Sequence, residues 1–320
     1  MLAWLLRRAR ALRTWLLVRL RIWRGRWRRG RIAVPGLLHL WSLGHRTWRY
    51  GLYVPGGLND EVSAPLIVLL HGCKQRALSF AYASGWTDFA DAARVRLLCP
   101  DQRRLANFHR CWNWFDPLAQ SGRGELEVIT AMIDDVAGRV RIDERAVAVI
   151  GLSAGGALAA LLAFHKPLRF RAAVAVAAPP LLGHFNMQSP LGVMQSGLAL
   201  DPELALGARR EACAPLAIIH GSADDVVHPR CAKQLQAQAV EAFRRAGRNA
   251  APGATVAAAA NTVVTDFAAD GRLLVRRIDV LGGGHAWTGR PGGYRYCEPS
   301  GVPLTALCAQ FLRDVGMLER

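Results

Sequence analysis

The chain has 320 residues, of which 52% are hydrophobic and 20% are charged, so it is too apolar for a disordered protein and long enough for one full hydrophobic core. The net charge of +17 is concentrated near the N-terminus, because the first 50 residues hold 13 Arg, no Lys and no acidic residue. The other 270 residues carry 28 basic and 24 acidic residues, a nearly neutral balance. A specific nucleic-acid partner is therefore not expected.

The N-terminal segment, residues 1–44, is predicted to be separate from the rest of the chain. Within residues 1–32, Leu and Trp recur every three or four positions and Arg fills the other faces, which is typical of a basic amphipathic helix. Within residues 1–32 the longest run without Arg is Met1–Leu6, too short for a membrane span or for a standard signal peptide. The pattern favours a helix that lies on a membrane or granule surface, with a solvated, disordered arm as the alternative.

Residues 45–320 are predicted to form one α/β domain, because short apolar runs alternate with helical patterns. The predicted strands are rich in Val, Ile and Leu: Trp48–Val54, Leu66–Leu70, Val95–Cys99, Ala146–Ile150, Ala172–Ala177, Leu216–Ile219 and Leu273–Val280. The predicted helices lie between them: Ala81–Ala93, Glu125–Val140, Gly155–His165 and Pro229–Arg245. This alternation predicts a mostly parallel sheet with helices on both faces and a site at the carboxyl ends of the strands. The segment Leu181–Pro215 interrupts the pattern, and it is interpreted as a lid or as a long surface excursion.

The strongest local motif is Gly-Leu-Ser-Ala-Gly at residues 151–155. It follows a predicted strand and precedes a predicted helix, which is the context of a nucleophile elbow. In such a turn the glycines allow close packing, and the serine is exposed at the start of a helix. Ser153 is therefore the candidate nucleophile.

A nucleophilic serine needs a base, and the base needs a carboxylate that orients it. In the α/β-hydrolase order the acid and the histidine follow the serine along the chain. Asp224 and Asp225 both follow the strand that ends at Ile219, so the acid is one of these two. His285 lies on a Gly-rich loop after the last predicted strand and is the candidate base.

Two backbone N–H groups are expected to form an oxyanion hole. One belongs to Ala154, directly after the nucleophile. The other is assigned to Cys73, because the loop after Leu66–Leu70 contains the small Gly72 and can approach the serine. None of the seven cysteines forms a C-x-x-C pair, so a structural zinc site is not expected. The predicted serine chemistry needs neither a metal nor a cofactor.

Six short segments resemble one family in content and order. They are LLHGCKQ (Leu69–Gln75), CPDQ (Cys99–Gln102), CWNWF (Cys111–Phe115), GLSAGGA (Gly151–Ala157), HGSADDVV (His220–Val227) and GGGHAWTG (Gly282–Gly289). On these segments the chain from Arg49 onwards resembles the polyhydroxybutyrate (PHB) depolymerase-type esterases of the α/β-hydrolase superfamily. The combination of HGC-x-Q, CWNW and GHAW is far more specific than the serine motif alone.

The resemblance implies an α/β-hydrolase fold and adds three expectations about the site. It favours Asp224 over Asp225, because Asp224 matches the acid of the family's motif. It supports Cys73 as an oxyanion donor. It also implies a disulfide between Cys73 and Cys111, which would tie the oxyanion loop to the CWNW loop.

The resemblance further implies a serine esterase acting on poly- or oligo(3-hydroxybutyrate) or on short acyl esters, with Trp112, Trp114 and Trp287 as walls of the substrate groove. A feruloyl or acetylxylan esterase is the alternative among enzymes, because these share related sequence patterns. A non-catalytic surface-binding protein on a hydrolase scaffold is the alternative of another class. The resemblance favours an extracellular or periplasmic location, whereas the Arg-rich segment leaves an intracellular, membrane- or granule-associated location open.

Overall fold

The computed structural model describes residues 25–33, 47–183, 188–253, 256–258, 261–289 and 293–319. Their main feature is a central sheet. Its strands in chain order are β1 (Arg26–Ala33), β2 (Thr47–Val54), β3 (Ala64–Leu70), β4 (Arg96–Asp101), β5 (Ile142–Leu152), β6 (Ala172–Val176), β7 (Leu216–Gly221), β8 (Ala251–Pro252), β9 (Val256–Ala258), β10 (Thr262–Ala269) and β11 (Arg272–Val280). In space the order is β1-β2-β4-β3-β5-β6-β7-β11-β10-β8, with β9 paired to β10.

The centre of this sheet is parallel, from β4 through β3, β5, β6 and β7 to β11. Strands β3 and β6 are apolar on both faces, as expected for parallel strands between two helical layers. Alternate residues of β3 show this, because Leu66, Val68 and Leu70 pack into one core and Ile67 and Leu69 into the other. All seven predicted strands are present.

Helices cover both faces of the sheet, as predicted. They are α1 (Ala77–Ala83), α2 (Trp86–Ala93), α3 (Pro117–Gln120), α4 (Glu125–Ala137), α5 (Ala154–His165), α6 (Pro190–Ser196), α7 (Arg230–Arg245) and α8 (Leu304–Asp314). Helices α4, α5 and α7 pack on one face, and α1, α2 and α8 pack on the other. A small second sheet pairs β12 (Trp287–Thr288) with β13 (Cys297–Glu298). In the described part of the chain, no helix is both long and apolar enough to cross a membrane.

The N-terminal helix predicted over residues 1–32 is wrong for residues 26–32, and residues 1–24 lie outside the described ranges. Residues 26–33 form β1, which pairs antiparallel with β2. The indole of Trp27 packs on Tyr53 and donates a hydrogen bond to the Tyr82 hydroxyl, so long-range contacts override the local helical pattern. The sheet therefore begins on the N-terminal side of the boundary predicted at residue 44.

The segment Leu181–Pro215, predicted as a lid or a surface excursion, packs against α7 in its described part. Gln238 bonds the backbone N–H and carbonyl of Leu181. Gln234 does the same for Leu198. Two buried glutamines of one helix thus hold this segment to the domain.

Candidate active site

Ser153 occupies the single residue between the end of β5 and the start of α5. Its backbone has φ 57° and ψ −121°, a conformation that L-residues rarely adopt. The flanking glycines explain how the turn closes. A Cβ on Gly151 would lie 2.1 Å from the Gly155 carbonyl oxygen, and a Cβ on Gly155 would lie 2.4 Å from the Leu70 carbonyl oxygen. The predicted strand–turn–helix context of Ser153 is confirmed.

Asp224 and His285 meet at the carboxyl end of the sheet, after β7 and β11. The Nδ1–H group of His285 donates a hydrogen bond of 2.8 Å to Oδ2 of Asp224. The other carboxylate oxygen, Oδ1, accepts the N–H groups of Val226 and Val227. Asp225 is exposed instead. The structure therefore pairs His285 with Asp224, the residue that the resemblance favoured.

The Asp224 carboxylate is buried but stays ionised. Burial alone would raise its pKa, yet hydrogen bonds from His220 and His285, the charge of His285 and the Val227 N–H hold this pKa well below its ordinary value. A carboxylate that remains charged fixes the Nδ1–H tautomer of His285 and leaves Nε2 free to accept a proton.

His220 is a site residue that the sequence analysis missed. It is buried, and its Nε2 lies 2.8 Å from the Val227 carbonyl oxygen and 3.3 Å from Oδ2 of Asp224. Because a carbonyl only accepts, Nε2 carries the proton and donates to both oxygens. The signal in the sequence was a histidine at the end of a predicted strand, four residues before the acid.

The loop after β3 lies directly beside Ser153. A Cβ on Gly72 would be 3.5 Å from the Ser153 Cβ, an ordinary contact distance, so this loop packs against the nucleophile residue. In the described structure the N–H groups of Cys73 and Ala154 donate to no protein acceptor, unlike the neighbouring N–H groups of Gly72 and Ser153. Both predicted oxyanion donors are thus unpaired near the nucleophile.

A disulfide joins Cys73 to Cys111, which confirms the predicted pairing. Hydrogen bonds hold the same loop in place. The Trp112 indole donates to the His71 carbonyl over 3.1 Å. Burial lowers the pKa of His71, whose neutral ring donates from Nδ1 to the Gly72 carbonyl and accepts the Gln102 N–H at Nε2. The conformation of this loop is therefore strongly determined.

Gln75 and Tyr296 link this loop and His285 to the C-terminal part of the chain; the sequence analysis gave Gln75 only as part of a motif and did not single out Tyr296. The Gln75 side chain accepts the Gly72 N–H and donates to the Arg295 carbonyl. The Tyr296 ring stands edge-on to the His285 ring, with centroids 5.7 Å apart. Gln75 thus fixes the loop beside Ser153, and Tyr296 packs against the ring of His285.

The three tryptophans predicted as groove walls are instead packed in the core. Trp112 and Trp287 are fully buried, and Trp114 is 3% exposed. Trp112 supports the oxyanion loop, and Trp287 packs on Phe80 while its indole donates to Thr305. Their apolar area is used in packing, so the prediction that they form an open groove is wrong for these side chains.

The described residues contain no group of three or more His, Cys, Asp or Glu side chains that could hold a metal ion. At the carboxyl edge of the parallel sheet, the structure places a serine at a strained turn and a histidine paired with a carboxylate. Together with the sheet order and the two helical layers, this arrangement is an α/β-hydrolase fold.

Comparison with known proteins identifies the branch of this fold. Residues 48–266 match the family of esterase PHB depolymerases. The chain belongs to this family.

Two relatives and one solved structure show the range of similar proteins. Poly(3-hydroxyalkanoate) depolymerase C of Paucimonas lemoignei is 31% identical over 260 residues, which cover 78% of this chain but only 61% of the relative. Feruloyl esterase B of Neurospora crassa is 29% identical over 215 residues, covering 62% of this chain and 71% of the relative. The structure of an acetyl xylan esterase from Aspergillus awamori superposes with a TM-score of 0.68 at 19% identity, covering 91% of this chain and 99% of that one. This last similarity concerns the fold alone.

Proposed function

We propose that the protein is a serine esterase that hydrolyses oligo- or poly(3-hydroxybutyrate) or short acyl esters through an acyl-enzyme. The observation that carries the proposal is the Asp224–His285 hydrogen bond at the same sheet edge as the strained Ser153 turn. The 31% identity to a poly(3-hydroxyalkanoate) depolymerase supports the substrate class.

In the proposed mechanism His285 takes the Ser153 proton while Oγ attacks the ester carbonyl carbon. The N–H groups of Cys73 and Ala154 stabilise the oxyanion, and protonated His285 returns its proton to the leaving alcohol. His285 then deprotonates a water that attacks the acyl-enzyme, and it returns this proton to Ser153 Oγ as the acyl–oxygen bond breaks and the acid is released. Asp224 orients the imidazole and stabilises its charged form throughout.

The test is hydrolysis of p-nitrophenyl esters of graded chain length, of soluble 3-hydroxybutyrate oligomers and of methyl ferulate. We expect turnover of short acyl and hydroxybutyrate esters, and loss of at least about a thousandfold in Ser153→Ala with an unchanged circular dichroism spectrum. Asp224→Asn is expected to lose activity similarly, whereas its matched control, Asp225→Asn on the exposed neighbour, is expected to retain it.

The outcomes separate the alternatives. Preference for methyl ferulate would favour the second candidate, a feruloyl-type esterase. The 29% identity to feruloyl esterase B supports this candidate. Turnover that survives in Ser153→Ala would refute the mechanism. Absence of ester turnover by the folded protein would favour a surface-binding protein on a hydrolase scaffold.

Association with a membrane or granule through the N-terminal segment, and an extracellular or periplasmic location, stay predictions. A truncation that tests the surface prediction must leave β1 intact, because Arg26–Ala33 pairs with β2 in the sheet. The appropriate truncation ends at residue 24. We expect it to reduce sedimentation with anionic vesicles or PHB granules while leaving hydrolysis of p-nitrophenyl acetate intact; unchanged sedimentation would contradict the prediction.

A further inference from the structure

A cleft of about 640 Å³ opens where β1, β2 and the end of β4 meet the start of α1. Arginines dominate its lining: Arg29, Arg31, Arg49, Arg76 and Arg139. We call this feature the arginine cleft. Its volume lies within the range of small-molecule sites.

The charges of the arginine cleft are poorly balanced in the described protein. Arg139 pairs with Asp135 over 2.9 Å. Asp101, the acid in the lining, is already engaged by Arg110 at 3.5 Å and by the Ala77 N–H at 3.2 Å. The other four arginines have no ion pair with any described residue and are exposed at the cleft. The cleft therefore carries about four uncompensated positive charges.

The strand register places two of these charges directly opposite each other. Arg31 of β1 faces Arg49 of β2, and Arg29 lies two residues along on the same side. Like charges directly opposite on neighbouring strands repel and destabilise the pair. Internal packing does not require two exposed arginines at these paired positions, and a bound anion would reduce the repulsion between them.

The arginine cleft is within reach of the proposed nucleophile. Arg76 follows Cys73 by three residues, so their Cα atoms are at most about 11 Å apart. The cleft also lies at the carboxyl end of the sheet, since Asp101 ends β4. Neighbouring strands are about 4.8 Å apart, and three intervals separate β2 from β5, which carries Ser153, so Arg49 is roughly 14 Å along the edge from the nucleophile.

We propose that the arginine cleft binds the terminal carboxylate of an oligoester substrate, an inference that rests on the proposed function. Each ester hydrolysis leaves a carboxylate on one fragment, so oligomers of hydroxy acids end in this group. Guanidinium groups bind carboxylates in bidentate fashion. At about 1.2 Å per backbone bond, 14 Å corresponds to roughly three hydroxybutyrate units of four bonds each.

This placement assigns the arginine cleft to the leaving-group side of the substrate. When Ser153 forms its ester with the acyl part, the C–O bond to the alcohol part breaks and His285 supplies the proton. The released fragment carries the new hydroxyl at one end and the original carboxylate in the cleft. Fragments of about three units are therefore the expected first product.

The test compares a soluble 3-hydroxybutyrate tetramer that has a free carboxylate with the methyl ester of the same tetramer. We expect wild-type enzyme to show a KM about tenfold lower for the free acid, a preference that weakens as salt rises. The double variant Arg31→Gln/Arg49→Gln is expected to lose this preference and to keep its activity on p-nitrophenyl acetate. The matched control is Arg210→Gln/Arg272→Gln, which removes two exposed charges outside the cleft and is expected to retain the preference.

The outcomes distinguish this inference from the proposed function. Turnover of p-nitrophenyl acetate without any preference for the free acid would overturn the inference and leave the esterase intact. Equal loss of the preference in both double variants would mean that the overall charge of the protein attracts the carboxylate, and this result would also overturn the inference. Absence of all ester turnover would overturn the proposed function itself.

Discussion

Removal of the Cys73–Cys111 disulfide is expected to lower the free energy of unfolding by about 4 kcal/mol. The two cysteines are 38 residues apart in the sequence. The chain-entropy relation for a closed loop of about this length gives roughly 4 kcal/mol, most of it from the loss of constraint on the unfolded chain. For a domain of this size that is a large share of the total stability.

Removal of the disulfide is expected to lower kcat less than the loss of an oxyanion donor would. Loss of one oxyanion donor costs about a hundredfold to a thousandfold in kcat. Without the disulfide, the loop keeps the Trp112 bond to the His71 carbonyl and the Gln75 bond to the Gly72 N–H. We therefore expect kcat to fall by less than about a hundredfold.

The assay is urea unfolding of Cys73→Ser/Cys111→Ser beside the wild type, each with and without reductant. Reductant is expected to lower the midpoint of the wild type towards that of the double variant, and to leave the double variant unchanged, which controls for effects on other cysteines. A double variant within about 1 kcal/mol of the oxidised wild type would refute the argument from loop length.

Two further predictions concern buried titratable groups near the site. Burial raises the pKa of Glu125 to about 7, although hydrogen bonds from Gln102 and Asn113 oppose this shift. The contribution of the Glu125 carboxyl group to the free energy of unfolding is therefore complete at acidic pH and is lost as the pH rises through 7. Urea midpoints between about pH 5 and pH 8 should fall more steeply in the wild type than in Glu125→Gln, and parallel curves would contradict this. His220→Leu should lower kcat by about tenfold or more and raise the pKa of the acid limb of kcat/KM, because Asp224 loses a hydrogen-bond donor. His220→Gln can still donate and should restore most of the kcat and of the pH profile. Equal losses in the two variants would exclude a role for this hydrogen bond.

The centre of the fold was predictable because its determinants are local. The central strands contain short apolar runs of Val, Ile, Leu and Ala, and burial on both faces leaves few alternatives for such a run. The edge strand β1 was not predictable. Its Trp27 continues a stripe of Leu and Trp residues spaced by three or four, which fits a helix. The choice of a strand depends on β2 and on the contacts of the Trp27 indole with Tyr53 and Tyr82, which lie far away in the sequence.

In the site, too, residues with local sequence signals were predictable and residues placed by long-range contacts were not. Ser153 and His285 were identified from their motifs, and the choice of Asp224 over its neighbour came from the resemblance, since both acids follow the same strand. The burial of Trp287 was not predictable, because an indole beside a catalytic loop suits a groove wall and a core equally well. Only the neighbouring aromatic rings, brought together by the fold, decide between them.

The strained turn at Ser153 shows why the Gly-Leu-Ser-Ala-Gly motif is tied to the packing of the central sheet. Its positive φ is unfavourable for serine, so the surrounding structure must stabilise it. That stabilisation comes from close packing of α5 against β3, where Gly155 lies so near the Leu70 carbonyl that a Cβ would stand 2.4 Å from it. The glycine thus serves the packing of two central elements, and the same packing presents Ser153 beside the Gly72 loop. A chain that had lost the chemistry would have no packing reason to keep a strained serine between these glycines, which favours the esterase over a non-catalytic scaffold.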